Sequence, residues 1–326
     1  MNFRKLLISC TAAGGMLMLI LDSKTALSGA AEGIGLCLKT VVPSLFPFLF
    51  LSSILTGSLW GVNYAPFRFL AEKIGIPNGA ESILIVSLLG GYPAGAQIVS
   101  RAYQDSLLTK QDAEHLLMFC SNAGPAFLFG ITAIHFPSLK QVWILWLIQI
   151  ISSLLTGYLY ANGSQNKVFL PDQTINFTAI LIQTVKTMGI LCGWILLFRI
   201  LTVFLERWIL WIFPIEIQVF IAGFLEISNG CCMLSNISSM NLRFVFCTLF
   251  LTLGGLCVTL QTVSVIGSLP LKPYIHGKIV QTVIGFFLGL LYLAAGVTIF
   301  GIVAFVLLLS FGLVKKRSSI SIVSGV

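Results

Sequence analysis

Glu226, Ser228 and Asn229 stand together inside a long apolar run. An acid in such surroundings is costly and is a functional candidate by default. Two roles fit it. It couples a cation or proton to the movement of a solute, or it neutralises a buried base, for which Lys186 and Arg199 are the candidates. Comparable groups mark three other interruptions: Gly91, Tyr92, Gly95 and Gln97 in the first, Ser121, Asn122 and Gly124 in the second, Gly255 and Gln261 in the last. Amides and hydroxyls placed this way bind a small solute or hydrogen-bond a neighbouring helix. No His-Glu-x-x-His, Gly-x-Ser-x-Gly or paired intramembrane Asp occurs, so the expectation is that the chain is not an enzyme. No nucleotide-binding loop is present. His115, His135 and His276 are too widely spaced for a metal centre, and no cofactor is expected.

The elements that hold these groups are set by composition. The chain has 326 residues, 57% of them hydrophobic and 9% charged, with a mean hydropathy of +0.99. Soluble domains carry roughly 25% charge. Spanning a bilayer takes about 20 apolar residues per helix, and such runs recur from Leu6 to Val314 without the alternation of a barrel. The expected fold class is all-α, a polytopic transmembrane helical bundle. The eight cysteines lie in or beside apolar segments, none in a Cys-x-x-Cys pair, and read as small buried hydrophobes.

Along the chain, Leu6–Leu21 reads as an uncleaved first span and Gly33–Gly57 as a second, kinked at Pro43 and Pro47. A short interfacial stretch, Trp60–Pro77, follows. Ala80–Leu89, the break Gly90–Gly95 and a continuation to Arg101 read as a re-entrant hairpin, because each arm is too short to span. Thr109 and Asp112 start a helix that breaks at Asn122–Pro125 and resumes from Ala126 to Phe136. Leu139–Tyr160 is a plain span, and the polar loop Asn162–Asn176 is a hinge between halves.

The second half repeats the order. A span covers Phe177–Glu206, and Pro214–Glu226 with a break at Ile227–Gly230 forms a second hairpin running to Asn236. Leu242–Ile266 is a span broken at Gly254 and Gly255, and Ile279–Val314 is long enough for two spans turning at Ala295 and Gly296. The organisation is N-terminal spans in 1–57, a first repeat in 58–136, a connecting span and hinge in 137–176, a second repeat in 177–267, and C-terminal spans with a basic tail in 268–326.

Most of the nineteen basic residues support one orientation. With the N-terminus inside, Arg4, Lys5, Arg68, Lys73, Arg101, Lys110, Lys167, Lys272, Lys278 and Lys315–Arg317 are cytoplasmic. Lys24, Lys140, Arg207 and Arg243 are outside, and Lys39, Lys186 and Arg199 fall within spans. Both termini are then cytoplasmic, and the two repeats are inverted. A lone basic cluster after the last apolar run is an anchor, and no nucleic-acid partner is expected. Inverted repeats with discontinuous helices bind near the bilayer midplane. Half-helices starting near Ala94, Ala126, Cys231 and Leu256 would direct unpaired N–H groups and positive dipole ends inward, which favours an anionic solute.

Gly91-Tyr92-Pro93-Ala94-Gly95-Ala96, the Leu108–Glu114 helix start, Phe119–Gly130, Glu226–Gly230 and Gly254–Val258 with Gln261 resemble the sporulation integral membrane protein YlbJ family, as does Val42–Phe48. That family carries the nucleoside-recognition (Gate) domain of concentrative nucleoside transporters. The resemblance, over roughly residues 33–285, implies a transporter or facilitator of a small organic anion, dipicolinate during sporulation, in a bacterial cell or forespore membrane. A nucleoside-type carrier and a non-transporting member of a sporulation or envelope complex are the alternatives. The partners implied are the anionic substrate and the lipid bilayer, and a homo-oligomer is compatible with both.

Overall fold

The computed structural model describes residues 3–59, 65–161 and 176–313, and every regular element among them is helical. The expected hinge, apart from Asn176, and the basic tail Lys315–Arg317 lie outside the described residues, as do Trp60–Tyr64 of the interfacial stretch.

Helix α1 (Phe3–Leu21) ends at Asp22, whose carboxylate accepts the Thr25 N–H at 3.3 Å and so starts α2 (Ser23–Leu36). The second span therefore begins at Ser23 and not at Gly33, because the Asp22 cap starts a helix that no proline interrupts before Pro43. A π-helical turn, Cys37–Val41, joins α2 to α3 (Val42–Leu59). It sits immediately before Pro43, where a missing N–H donor disturbs the helical ladder. A short surface helix, α4 (Ala65–Lys73), carries the Arg68–Glu72 ion pair at 2.9 Å.

Helices α5 (Glu81–Leu89) and α6 (Ala94–Gln104) have 9 and 11 residues. At 1.5 Å per residue neither reaches across a core about 30 Å thick. In α7 (Lys110–Leu117), Thr109 Oγ1 accepts the Asp112 N–H at 3.1 Å, the cap read from the sequence. The chain then leaves helix until Pro125 opens α8 (Pro125–Phe127), which continues through a π turn, Leu128–Thr132, and a 3-10 turn, Ala133–His135. Helix α9 (Leu139–Leu159) is uninterrupted, and α10 (Phe177–Trp208) starts at Asn176, whose side chain accepts the Ala179 N–H at 3.0 Å.

Helices α11 (Ile215–Leu225) and α12 (Ile227–Met233) are separated by Glu226 alone, in extended conformation. The break is therefore Glu226 itself. Ile227–Gly230, which the sequence marks as the break, forms the first turn of α12. Helices α13 (Met240–Leu253) and α14 (Gly255–Val265) part at Gly254, whose φ of 82° ends α13. The last helical run, α15 (Leu271–Leu313), is broken at Gly296, with φ 74° and ψ −179°. Residues eight apart in a straight helix lie about 12 Å apart along the axis. The rings of Tyr292 and Phe300 lie 6.0 Å apart, so the chain bends sharply where the turn was expected.

Among the described residues, five stretches are long and apolar enough to cross a membrane: Ser23–Leu55, Leu139–Leu159, Phe177–Trp208, Met240–Val265 and Leu271–Leu307. Many large apolar side chains face outward, among them Leu38, Leu51, Ile182, Leu197, Phe287 and Phe305. The chain is an integral membrane protein, and this apolar exterior is the surface that lipid solvates. All eight cysteines are free.

Contacts at the two ends of the bundle show how the broken elements run. At one end, α6 and α14 finish together, with Gln104 Nε2 2.6 Å from the point where a Gly267 Cβ would stand. The Tyr160 hydroxyl there meets His276 Nε2 at 2.8 Å, and His115 Nε2 meets the Ile74 carbonyl at 2.8 Å. At the other end, the Phe136 and Phe244 rings are 6.2 Å apart and Arg243 Nε donates to the Ile237 carbonyl at 2.5 Å.

Gly95, in the first turn of α6, is the tightest helix contact tied to a break: a Cβ there would stand 1.5 Å from the Cys120 carbonyl oxygen. Gly95→Ala is expected to lower stability by about 1–3 kcal/mol or more, the usual cost of overpacking. Gly193→Ala, on an exposed face of α10 with nothing within 4 Å, should stay within about 1 kcal/mol of wild type. Thermal unfolding in detergent checks the pair, and equal midpoints would show that this contact is not built as described.

Candidate functional site

An acid buried at 1% exposure needs partners, and Glu226 finds them in the chain that follows it. One carboxylate oxygen accepts the Ser228 N–H at 3.0 Å and the other accepts the Asn229 N–H at 2.8 Å. These are the otherwise unpaired first-turn donors of α12. The positive end of that half-helix is thus occupied by the protein's own anion. The alternative pairing with Lys186 or Arg199 is not formed. Arg199 instead binds Glu32 at 2.5 Å and Glu206 at 3.4 Å, and Lys186 is exposed. Beside Glu226, the Asn229 side-chain nitrogen is buried without a hydrogen-bond partner among the described residues.

The other half-helix starts are close to carbonyl groups. A Cβ on Gly255, the first residue of α14, would stand 2.8 Å from the Phe224 carbonyl oxygen and 3.0 Å from that of Gly223, both in the last turn of α11. Gly95 lies against the Cys120 carbonyl, and a Cβ on Gly124 would stand 2.9 Å from both the Gly91 nitrogen and the Leu89 carbonyl oxygen. The expectation of free N-terminal ends is corrected at α12, where Glu226 is the cap. At the starts of α6, α8 and α14, no side chain supplies one.

A second polar centre gathers around Lys278, which the sequence reading placed in a cytoplasmic loop. The structure puts it eight positions into α15 with 2% exposure. Its ammonium donates to the Tyr92 hydroxyl at 3.2 Å, to Gln281 Oε1 at 2.8 Å, to the Thr252 carbonyl at 3.4 Å and to the Ser121 carbonyl. The Tyr92 hydroxyl donates in turn to the Leu251 carbonyl at 2.8 Å, and the ammonium lies 4.9 Å from the Tyr92 ring centre. Gln281 Nε2 reaches Asn122 Oδ1 at 2.8 Å, and Asn122 Nδ2 donates to the Phe119 carbonyl at 2.8 Å and to Ser153 Oγ at 3.2 Å. Leu251 and Thr252 lie in the last turn of α13, where carbonyls lose their helical donors. A signal for Lys278 exists in the sequence: Tyr274, Lys278 and Gln281 fall on one helical face of an otherwise apolar run.

Between the two centres lies a cavity of about 30 Å³, lined in part by Gly91, Tyr92, Gly124, Glu226, Ser228 and Gln261. That is room for about two waters. These six predicted residues meet at one place. Ser121 and Asn122 belong to the Lys278 network, Gly95 and Gly255 to the backbone contacts, and Asn229 to the cap of α12. Gln97 points elsewhere, its Nε2 donating to Thr187 Oγ1 at 3.2 Å, and Gln261 Nε2 approaches Cys257 Sγ at 3.2 Å.

The class defined is an integral membrane protein with broken helices around a buried polar site. Over 117 residues the chain is 29% identical to the sporulation integral membrane protein YlbJ of Bacillus subtilis (strain 168). That stretch covers 35% of this chain and 28% of the relative, so the match spans little more than a quarter of the relative's length. No family model matches the chain. No solved structure matches it.

Glu226→Gln keeps one acceptor but turns an amide N–H₂ toward a backbone donor, and should cost about 1–2 kcal/mol. A double-mutant cycle with Arg199→Met should give a coupling well below the cost of about 3–5 kcal/mol for a broken buried ion pair. Chemical or thermal unfolding in detergent measures both, and strong coupling would restore the ion pair that the geometry excludes.

Proposed function

We propose that the chain is a membrane carrier for a small organic anion, with dipicolinate the candidate cargo, bound where the broken helices meet. The observation that carries this reading is the cavity at the junction of the breaks, faced by glycine backbone, Glu226, Ser228 and Gln261. Its water-sized space, about 30 Å³, is too small for an organic anion, so a cargo fits only when the surrounding elements part. The arrangement supports two inverted repeats. Helices α6 and α14 finish together at one end of the bundle, while the end of the first broken helix meets the start of the second at the other. On this reading α5–α6 enters from one face and α11–α12 from the opposite face, as alternating access between related halves requires.

Glu226 sets the terms for an anion. Two like charges in so small and largely apolar a space are tolerated only with a proton between them. A cargo carboxylate therefore arrives with a proton that it shares with Glu226, and the two travel together. The same carboxylate favours a second reading, a neutral nucleoside-like cargo that hydrogen-bonds Glu226 and Gln261 without any proton.

Purified protein in liposomes loaded with a pH-sensitive dye separates these outcomes. Dipicolinate should move faster than uridine, with protons moving in the same direction, and Glu226→Gln should keep exchange while losing proton-driven accumulation. Faster uridine movement without a pH change would favour the nucleoside reading. Equal passage with and without protein would contradict carriage.

A further inference from the structure

The Lys278 ammonium has three N–H donors, and four oxygens surround it: Tyr92 Oη, the Ser121 and Thr252 carbonyls and Gln281 Oε1. Two of the four are backbone carbonyls at chain breaks, a third is a side-chain amide oxygen, and the fourth is a hydroxyl. None is a carboxylate, and no described acid forms an ion pair with Lys278. An apolar interior would ordinarily reject a lone positive charge. Here the negative end of α13 and its last-turn carbonyls favour one. Neutral oxygens converging on a single positive centre are the ligand chemistry of hard cations, and unwound carbonyls at half-helix ends are a recurrent sodium site in membrane proteins.

We propose that Tyr92, Ser121, Thr252 and Gln281 form a monovalent-cation site of sodium type that the protein keeps filled with its own ammonium, so that Lys278 is a tethered cation. The set ties together three separate pieces of the fold: the α5–α6 turn through Tyr92, the break after α7 through Ser121, and the end of α13 through Thr252. All the N–H donors are engaged by these oxygens, so the ammonium holds the broken elements in register and leaves no donor for a cargo. Because the charge is covalently attached, assembly of this centre does not depend on external sodium. The inference is independent of the carrier reading, since its test reads stability and not flux.

The test compares wild type, Lys278→Ala and Lys278→Met, each extracted and purified in sodium chloride or in choline chloride. Thermal midpoints are then measured against added sodium, potassium and lithium. Wild type should show no saturable response to sodium. Lys278→Ala removes the ammonium and leaves room, so its midpoint should fall by several degrees in choline and recover saturably with sodium, as linkage requires for a ligand bound to the folded state. Lys278→Met fills the space without a charge, so it should be destabilised in both salts and should not be rescued. Recovery of folded Lys278→Ala from sodium but not from choline would also support the site. Equal loss of that variant in both salts, a sodium response as large in wild type or in Lys278→Met, or rescue by all salts alike would overturn it.

Discussion

Backbone groups inside an apolar phase must be satisfied by the protein itself, and each helix break in this chain exposes a set of them. The rest of the site follows from how that requirement is met. At the α11–α12 break the donors of α12 are capped by Glu226. At the end of α13 the acceptors are met by Tyr92 and Lys278. Asn122 and Lys278 serve the stretch after α7 by donating to the Phe119 and Ser121 carbonyls. The polar residues of the site are therefore structural partners of the breaks, and the cavity is the small space left among them.

This arrangement separates charge in a definite way. A carboxylate stands at a half-helix N-terminus and an ammonium near a half-helix C-terminus, each complementing the local dipole, with no ion pair between them. Each charge is held by neutral groups, so neither is cancelled by the other. Removing either one strands backbone groups as well as altering the charge, and a structural role is thus built into any functional one. The glycine contacts serve the same end. Gly91, Gly95, Gly124 and Gly255 let one broken element touch another where a side chain would force them apart.

Much of this was legible because lipid exposure leaves long apolar runs in which interruptions stand out. The Thr109 cap and the breaks near Gly90–Gly95, Asn122–Pro125 and Gly254–Gly255 are readable from residue type and spacing, while their edges shift: helix resumes already at Ala94, Pro125 and Gly255. Glu226 is legible as a site residue but not as the break, because asparagine and glycine three and four residues later carry the stronger breaker signal. In sequence Lys278 reads as a loop base because the uncharged apolar run starts only at Ile279, and charge at the edge of such a run ordinarily marks the membrane surface. Its burial is signalled only by the face it shares with Tyr274 and Gln281. It comes from partners on α13 and at two distant breaks, brought together by tertiary packing. The Glu32–Arg199–Glu206 cluster escaped for the same reason, since its members lie on two helices far apart in sequence.

The central claim is that the two short helix pairs enter from opposite faces and meet at one buried site. Asp105, just past α6, and Ser238, between α12 and α13, are exposed and lie at the outer ends of those pairs. Single cysteines at Asp105 and Ser238, in a protein lacking its native cysteines, report the face directly through a membrane-impermeant maleimide applied to intact and to inverted vesicles. The account predicts that the cysteine at 105 reacts from the cytoplasmic face alone and the cysteine at 238 from the opposite face alone. Labelling of both from the same face would contradict it.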